Sequence, residues 1–542
     1  MIGLVDTLGN PLRSERRKPR ALGRVGFQGT AYDASAWDTE ETRDWGAWLA
    51  SPDIENNFSR DVIVARTRDL VRNDGWASGA VTRIVDSVVG AELRLVAQPD
   101  WRALSAFAPR CDEVWAREFA TAAESLWRTW NSEHDAGRWC DAARRLTVSQ
   151  MFRLAFRHFI VDGEALAVLP WLPGRVGPGK ARYATAVSLI DPDRLSNPHL
   201  AIDTRDRRAG VEIDEWDAPV AYWLRKAHQG DWFDAARTVT WDRYPRETEF
   251  GRPIVVHYFE PDRANEHRPA GGLLKPVIGR MKMLAKYDGV ELQAAVINGI
   301  FSAYIESPYD HDQVQDALGE GDTLSAYQTL RSGFHQERAP MLGGARIPTL
   351  FPGEKIVGVD SKRPSANYPH FEGAVLRNIA AAVGLSAEQV SQDWSKTNYS
   401  SARAALLEAW RTLSRRRLDF AAGFASPIYG AFLEEAIDRG ELPMPAGAPD
   451  FVEARAEYAA CSWMGPPRGW IDPVKEAQAA VLRMDAGLST LRQECAEQGL
   501  DYEEVIAQRA LEVKMFRKAG LNPPVWYGDT PAHTAAEKHE PE

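Results

Sequence analysis

The feature that most constrains this chain is a change of hydrophobic period at FIVDGEALAVLPWLP, residues 159–173. Before it, apolar residues recur at helical spacing; after it, they alternate as in strands. The helical pattern begins at Asp61, breaks at Asn73-Asp74-Gly75, and resumes through Ile84, Val85, Val88 and Val89. Two more helices are expected around 111–131 and 147–161. The strand-like runs that follow are EALAVLPW, ATAVSLID, VAYWLRKA and IVVHYFEP, separated by Gly, Pro and Asp turns. Residues 61–260 therefore predict an α+β body, mainly helical, with helices ahead of a meandering sheet.

Beyond the sheet the order changes. The Pro- and Gly-rich segment PDRANEHRPAGG leads into a long helix over 273–303, with Pro276 near its first turn, where a missing N–H costs nothing. A mixed island at 304–366 holds an acidic helical pattern and the strand-like runs IPTLF and KIVGVD. A helix over 367–384, a polar loop at 385–399 and a helix over 400–424 come next. Further helices are expected at 473–498 and 501–519. The first 60 residues, rich in Gly, Pro, Arg and Asp, read as an arm, and 521–542 as a tail. A small island held between two helices that both return to a larger body suggests a stalk and a tip.

Composition narrows the function classes. A net charge of −11 argues against tight DNA binding, because such affinity comes from Lys and Arg displacing counterions. It leaves open a surface past which DNA slides. The 44% hydrophobic and 26% charged content suits packed cores in several domains. Trp, at 19 residues, is well above ordinary usage and suggests broad cores or large subunit interfaces. Four dispersed cysteines, Cys111, Cys140, Cys461 and Cys495, predict neither a disulfide framework nor a structural zinc site, which fits a reducing cytoplasm. The N-terminus lacks the apolar core of a signal peptide, and Asp288, Glu291, Gln293 and Asn298 interrupt the most apolar helix, so no membrane contact is expected.

Three motifs touch on chemistry and none completes one. Gly174, Gly179 and Lys180 in GRVGPGKA have phosphate-loop spacing, but Ala181 replaces the magnesium-binding hydroxyl and a strand follows where a helix is needed. A turn is the simpler reading. His257, Glu260 and His267 lack the spacing of a metal site and read as strand and loop residues. Asp191 and Asp193 in LIDPDRLSNP resemble a two-metal pair, yet Asp-Pro-Asp also starts turns through its own side chains, and the turn is favoured. No catalytic residue, metal or cofactor is expected.

The stretch QDWSKTNYSSARAALLEAWR, residues 392–411, is the best candidate for function. Asn398 or Ser400 can cap the helix that follows, an effect of about 1 kcal/mol. Capping leaves Ser395, Lys396 and Thr397 unexplained, and an exposed contact loop accounts for them. Arg403, one turn into the helix, and the run Arg415, Arg416 and Arg417 are candidates for contact with DNA phosphate or with a neighbouring subunit.

From about Asp61 to Gly520 the chain resembles the lambda-family portal proteins of tailed bacteriophages and prophages. The resemblance rests on TRDLVRNDGWASGAVTRIVDSVVG, on FRHFIVDGEALAVL through SLIDPDRLSNP, and on HYFEPDRANEHRPAGGLLKPVIGRMKMLAKYDGVELQAA. It rests above all on GLSAEQVSQDWSKTNYSSARAALLEAWR with the later GPPRGWIDPVKEAQA.

It implies a homo-oligomeric ring, typically a dodecamer, at one capsid vertex, with double-stranded DNA packaged and ejected through it. The implied plan is an arm at 1–60, a wing at 61–272, stem helices at 273–303 and 367–384 flanking a clip at 304–366, and a tunnel loop at 385–399. A radial helix and wing return at 400–470, crown helices at 471–520 and the tail complete it. Implied partners are the terminase large subunit, head completion or adaptor proteins, and the major capsid or scaffold protein, with no membrane. The implied location is the virion, after assembly in the host bacterial cytoplasm. On that plan Ser395, Lys396, Thr397 and Asn398 face the DNA channel, with Lys396 the foremost contact. Another virion structural protein, a capsid or tail subunit, or a packaging nuclease or ATPase would be the alternatives. The latter two would need an acidic metal cluster or a complete nucleotide-binding motif.

Overall fold

The computed structural model describes residues 40, 44–47, 49–131, 137–300, 303–306, 326, 329–330, 332–333, 341–342, 345–346, 355–358, 367–395, 397–467 and 473–522. Met1–Ser51 form one unit and Pro52–Glu542 another, which carries everything that follows. Helix α1 (Pro52–Asn73) starts at Pro52 rather than at the expected Asp61, with Asp53 and Glu55 in its first turn, where the helix dipole favours negative charge. It breaks from α2 (Gly75–Val88) at the position read from sequence. There the Asp74 side chain accepts the Ala77 amide at 2.8 Å. After β1 (Arg94–Ala97) and the short α3 (Trp101–Phe107) come α4 (Glu113–Asn131) and α5 (Val148–Asp162).

Helix α5 is the centre of the core. Thr147 and Gln150 close a capping box at its start, and it buries Met151, Phe152, Ala155, Phe156, Phe159 and Ile160. It ends on Gly163, whose φ of 97° lies in the left-handed region, so the change of period is executed by one glycine. Strand β2 (Glu164–Val168) follows, with all five residues buried.

The expected single meander is two antiparallel sheets. One has the order β3 (Ser188–Ile190), β2, β8 (Val255–Phe259). The other runs β4 (Arg207–Arg208), β5 (Val211–Ile213), β6 (Pro219–Arg225), β7 (Trp241–Pro245), with the short α6 (Ala235–Thr238) in the β6–β7 connection. Alternation explains why they stack. Ala165, Ala167, Val256 and Tyr258 join the helical core, whereas Leu166, Val168 and Val255 join Val211, Ile213, Tyr222 and Leu224 of the second sheet.

Distant segments close the core. β1 pairs with Cys461–Met464, and aromatic rings from 115–159 interlock with rings from 420–463. Trp130 stacks on Phe432 with centroids 5.0 Å apart, Phe156 meets Phe420 at 5.0 Å, and Phe152 meets Trp463 at 5.7 Å. Trp115, Trp127, Trp130 and Trp463 are thus core residues of a single chain, not the interface residues the composition also allowed. All four cysteines are free.

The long helix α7 is Ile278–Ile300, preceded by turns rather than starting at 273. Strand β9 (Ala303–Glu306) pairs with Lys355–Gly358, within the expected KIVGVD run. The acidic helical pattern, apart from a few isolated helical residues, and the IPTLF run lie outside the described residues. The remaining α-helices among the described residues are α8 (Tyr368–Val383), α9 (Ala387–Ser391), α10 (Tyr399–Phe420), α11 (Ser426–Asp438), α12 (Arg455–Tyr458), α13 (Pro473–Asp485), α14 (Leu491–Glu497) and α15 (Tyr502–Lys518). The helix expected over 473–498 is α13 and α14, divided at Gly487, with Thr490 and Gln493 forming a capping box. No helix among the described residues is long and apolar enough to cross a membrane.

Candidate functional site

The polar stretch sits between α8 and α10, and its shape follows from local hydrogen bonding. Helix α8 ends at Gly384, φ 75°, whose amide reaches Ala380 O. A side chain there would press on Thr412 of α10, 2.8 Å from its Cγ2, so the glycine also permits the close approach of the two helices. Ser386 and Gln389 then form a capping box that starts α9, a helix the sequence reading treated as loop. Buried Val390 anchors it.

Gln392 adopts φ 58° and closes α9 on Glu388 O at 2.7 Å. Asp393 accepts both the Ser395 amide at 3.0 Å and the Ser395 hydroxyl at 2.6 Å. The Thr397 amide donates to Trp394 O at 3.2 Å. Asn398 caps α10 through its side-chain oxygen, which accepts the Ser401 amide at 2.8 Å. The loop is therefore a string of short local turns with exposed hydroxyl and amide groups at Ser395 and Asn398 and a half-buried Thr397. Lys396 lies outside the described residues.

Arg403 is half-buried and lines a cavity of about 270 Å³ against α13 and α14, beside Lys475, Arg483, Glu494 and Glu497. The arginine run is divided among three environments. Arg415 pairs with Glu260 and, at 2.9 Å, with Asp419. Arg416 is buried and donates to Val383 O, the C-terminal residue of α8, at 2.7 Å. Arg417 donates to Val88 O at 2.9 Å, Ser87 O at 2.8 Å and Pro466 O at 3.0 Å, with Trp410 under its guanidinium at 4.9 Å. Arg416 and Arg417 thus serve carbonyls at the ends of α8 and α2, which need donors. Burial pulls the Arg417 guanidinium down to about 10.

Arg417→Ala should therefore cost about 2–3 kcal/mol, since it strips three carbonyls of a charged donor. Arg417→Lys should recover little, because one ammonium cannot span all three. Urea midpoints of the three proteins decide this; a fully restored midpoint in the lysine variant would remove the argument.

The weaker motifs resolve into structure. Pro173–Arg175 forms a short 3-10 turn and Gly177–Lys180 a second turn, with Lys180 N bonded to Gly177 O at 3.0 Å and no helix behind it. His257 and His267 point to different carboxylates, Glu164 at 2.7 Å and Asp53 at 2.8 Å, while Glu260 serves Arg415. Asp191 accepts the Asp193 amide at 3.0 Å, and both aspartates bind Arg68, which also holds Asp162 at 2.7 Å. The bridging guanidinium offsets part of the pair's charge, and Arg60 lies 3.8 Å from Asp193.

Sequence reasoning missed the most enclosed charges. Glu164, with its side chain fully buried, meets Arg60 at 2.7 Å, His257 and Arg268, and Arg268 also donates to Pro192 O at 2.9 Å and Ala209 O at 3.0 Å. The signal available was a lone Glu at the head of an apolar strand. Nothing in the sequence named its partners.

The family described as phage portal protein, lambda family, matches residues 38–417. The portal protein of Escherichia phage N15 is 34% identical over 495 residues, covering 90% of each chain. Portal protein B of Escherichia phage lambda is 33% identical over 497 residues, again covering 90% of each. Among solved structures, a chain from the neck of a native GTA particle, computed with C12 symmetry, aligns with 86% of this chain and 100% of its own, at 12% identity and a TM-score of 0.43. With relatives at least 33% identical over 90% of the chain and the family matched over residues 38–417, the chain belongs to the lambda family of phage portal proteins.

Proposed function

We propose that this subunit works in a closed ring, dodecameric as the family resemblance implies, with the 385–399 loop at the inner end of α10 as the element that touches passing DNA. Serving as the portal for DNA and as the dock for terminase is the role of its family. The observation that carries the reading is the similarity to portal proteins over 90% of the chain.

The finer plan is part of the proposal: wing 61–272, stem helices α7 and α8, clip 304–366, and crown 471–520. Two contacts support treating α7 and α8 as a paired stem. Tyr368 OH donates to Asp288 at 2.6 Å, and Tyr287 stacks on Tyr368 with centroids 5.6 Å apart. An acidic subunit repeated around a bore would repel DNA and favour sliding, and neutral hydrogen-bonding groups at Ser395, Thr397 and Asn398 make only weak contacts. The ring stands at the capsid vertex of the virion after assembly in the host cytoplasm, and terminase, adaptor and capsid or scaffold proteins are its proposed partners. No catalytic role is assigned to it.

Negative-stain images of the purified protein should show rings with a central hole; a stable monomer across salt conditions would refute the ring. Removing 393–398 should leave the rings intact while lowering the DNA retained in particles. Unchanged retained DNA would remove the loop from the proposal and leave the ring standing.

A further inference from the structure

The C-terminal helix α15 has little apolar anchorage. Val513 is its one buried residue, while Ile506, Leu511 and Met515 are about half exposed or more. Its first turn instead meets a cluster of charges. Asp501 caps the helix, and Glu504 binds Arg94 of β1 and lies 3.3 Å from Arg128 of α4. Glu124, also on α4, lies 3.9 Å from Arg128 and accepts the Ala97 amide of β1 at 2.9 Å. Its side chain is only 14% exposed. Arg94 feels all three carboxylates. Three carboxylates thus share two guanidiniums in a partly desolvated seam, an arrangement that favours holding one proton.

We propose that this cluster is a proton-dependent clasp, in which a proton on Glu124 frees Arg94 and Arg128 to hold Glu504 and Asp501, and so fastens α15 to β1 and α4. Burial, reinforced by Asp501, outweighs the Ala97 amide and the two arginines and pushes the Glu124 carboxyl up to about 7. On the core side the Tyr429 hydroxyl feels the Glu124 charge, and burial keeps that hydroxyl protonated. Arg509 and Glu512 line the same groove further along α15.

The direction follows from proton counting. The clasped state holds a proton that an open Glu124, nearer an ordinary carboxylate, gives up. Clasping is therefore favoured as pH falls toward 6, weakens as pH rises through 7, and is flat above about 8. This differs from a plain ion cluster, which would tighten as its carboxylates ionise.

Hydrogen–deuterium exchange on the full-length protein tests this, reading residues 502–518 at pH 6 and pH 8 after correction for intrinsic exchange. Protection should be about tenfold higher at pH 6, by linkage across a carboxyl near 7. Glu124→Gln keeps an acceptor for the Ala97 amide and should hold α15 equally protected at both pH values. Glu504→Gln should leave it poorly protected at both, with α5 unchanged as the internal reference. Equal protection of the unmodified protein at both pH values, or an unaltered pH response in Glu124→Gln, would overturn the clasp.

Discussion

Arg268→Ala is expected to lower stability by about 3–5 kcal/mol, the usual cost of stripping one partner from a buried charge cluster. Glu164 would keep Arg60 and His257 but lose its closest guanidinium, and Pro192 O and Ala209 O would lose their donor. In a unit spanning Pro52–Glu542 that corresponds to a fall of roughly 3–5 °C in the melting temperature. A fall of less than about 2 °C would show that Arg60 alone suffices.

The same cluster has a pH signature. Burial alone would raise the Glu164 carboxyl, but Arg268, Arg60 and His257 hold it well below the usual carboxylate range. A depressed acid contributes stability above its unfolded value, near 4.3, and loses it as pH falls through the folded one. The unmodified protein should therefore lose stability below about pH 4, and Glu164→Gln should lack that part of the acid dependence.

Gly272→Ala should be nearly as damaging, for a steric reason. The chain after the Pro-Gly segment crosses the end of α5 so closely that an added Cβ would collide with the Ile160 carbonyl and lie 2.5 Å from Val161 O. The Leu273 amide donates to Ile160 O at 2.9 Å, so moving the crossing away breaks that bond as well. A loss of at least about 3 kcal/mol is expected. Gly289→Ala, in the interior of α7 with open space around it, is the control and should gain about 0.5–1 kcal/mol in the isolated chain. Equal melting temperatures for the two variants would contradict this reading of the crossing.

Much of the local structure was legible. The break at Asn73-Asp74-Gly75, the helices later seen as α4 and α5, the change of period at Gly163 and the cap at Asn398 are all found where their residue types place them. Each depends on dihedral preferences and hydrogen bonds within a few residues. The α9 capping box, Ser386 with Gln389, obeys the same local rule and was overlooked because the helix is only five residues long. The five-residue π turn at Ala421–Ala425 is different. Gly423 there faces Tyr258, 2.5 Å from where a Cβ would meet the ring, and no local pattern announces that approach.

The arginines of LSRRRLDF mark the boundary between the two kinds of knowledge. Their charge and helical setting were evident from the residues alone, as were the family resemblance, the element order and the polar character of the 392–398 loop. Tertiary structure decided that Arg415 reaches Glu260, that Arg416 turns inward to Val383 and that Arg417 closes α2. It also decided that Glu164 meets Arg60 and Arg268, and that one apolar pattern becomes two stacked sheets. Period and capping are set by neighbours along the chain, and so they can be read in order. Which donor meets which buried acceptor depends on how remote segments cross, and desolvation makes that choice matter only once they have met.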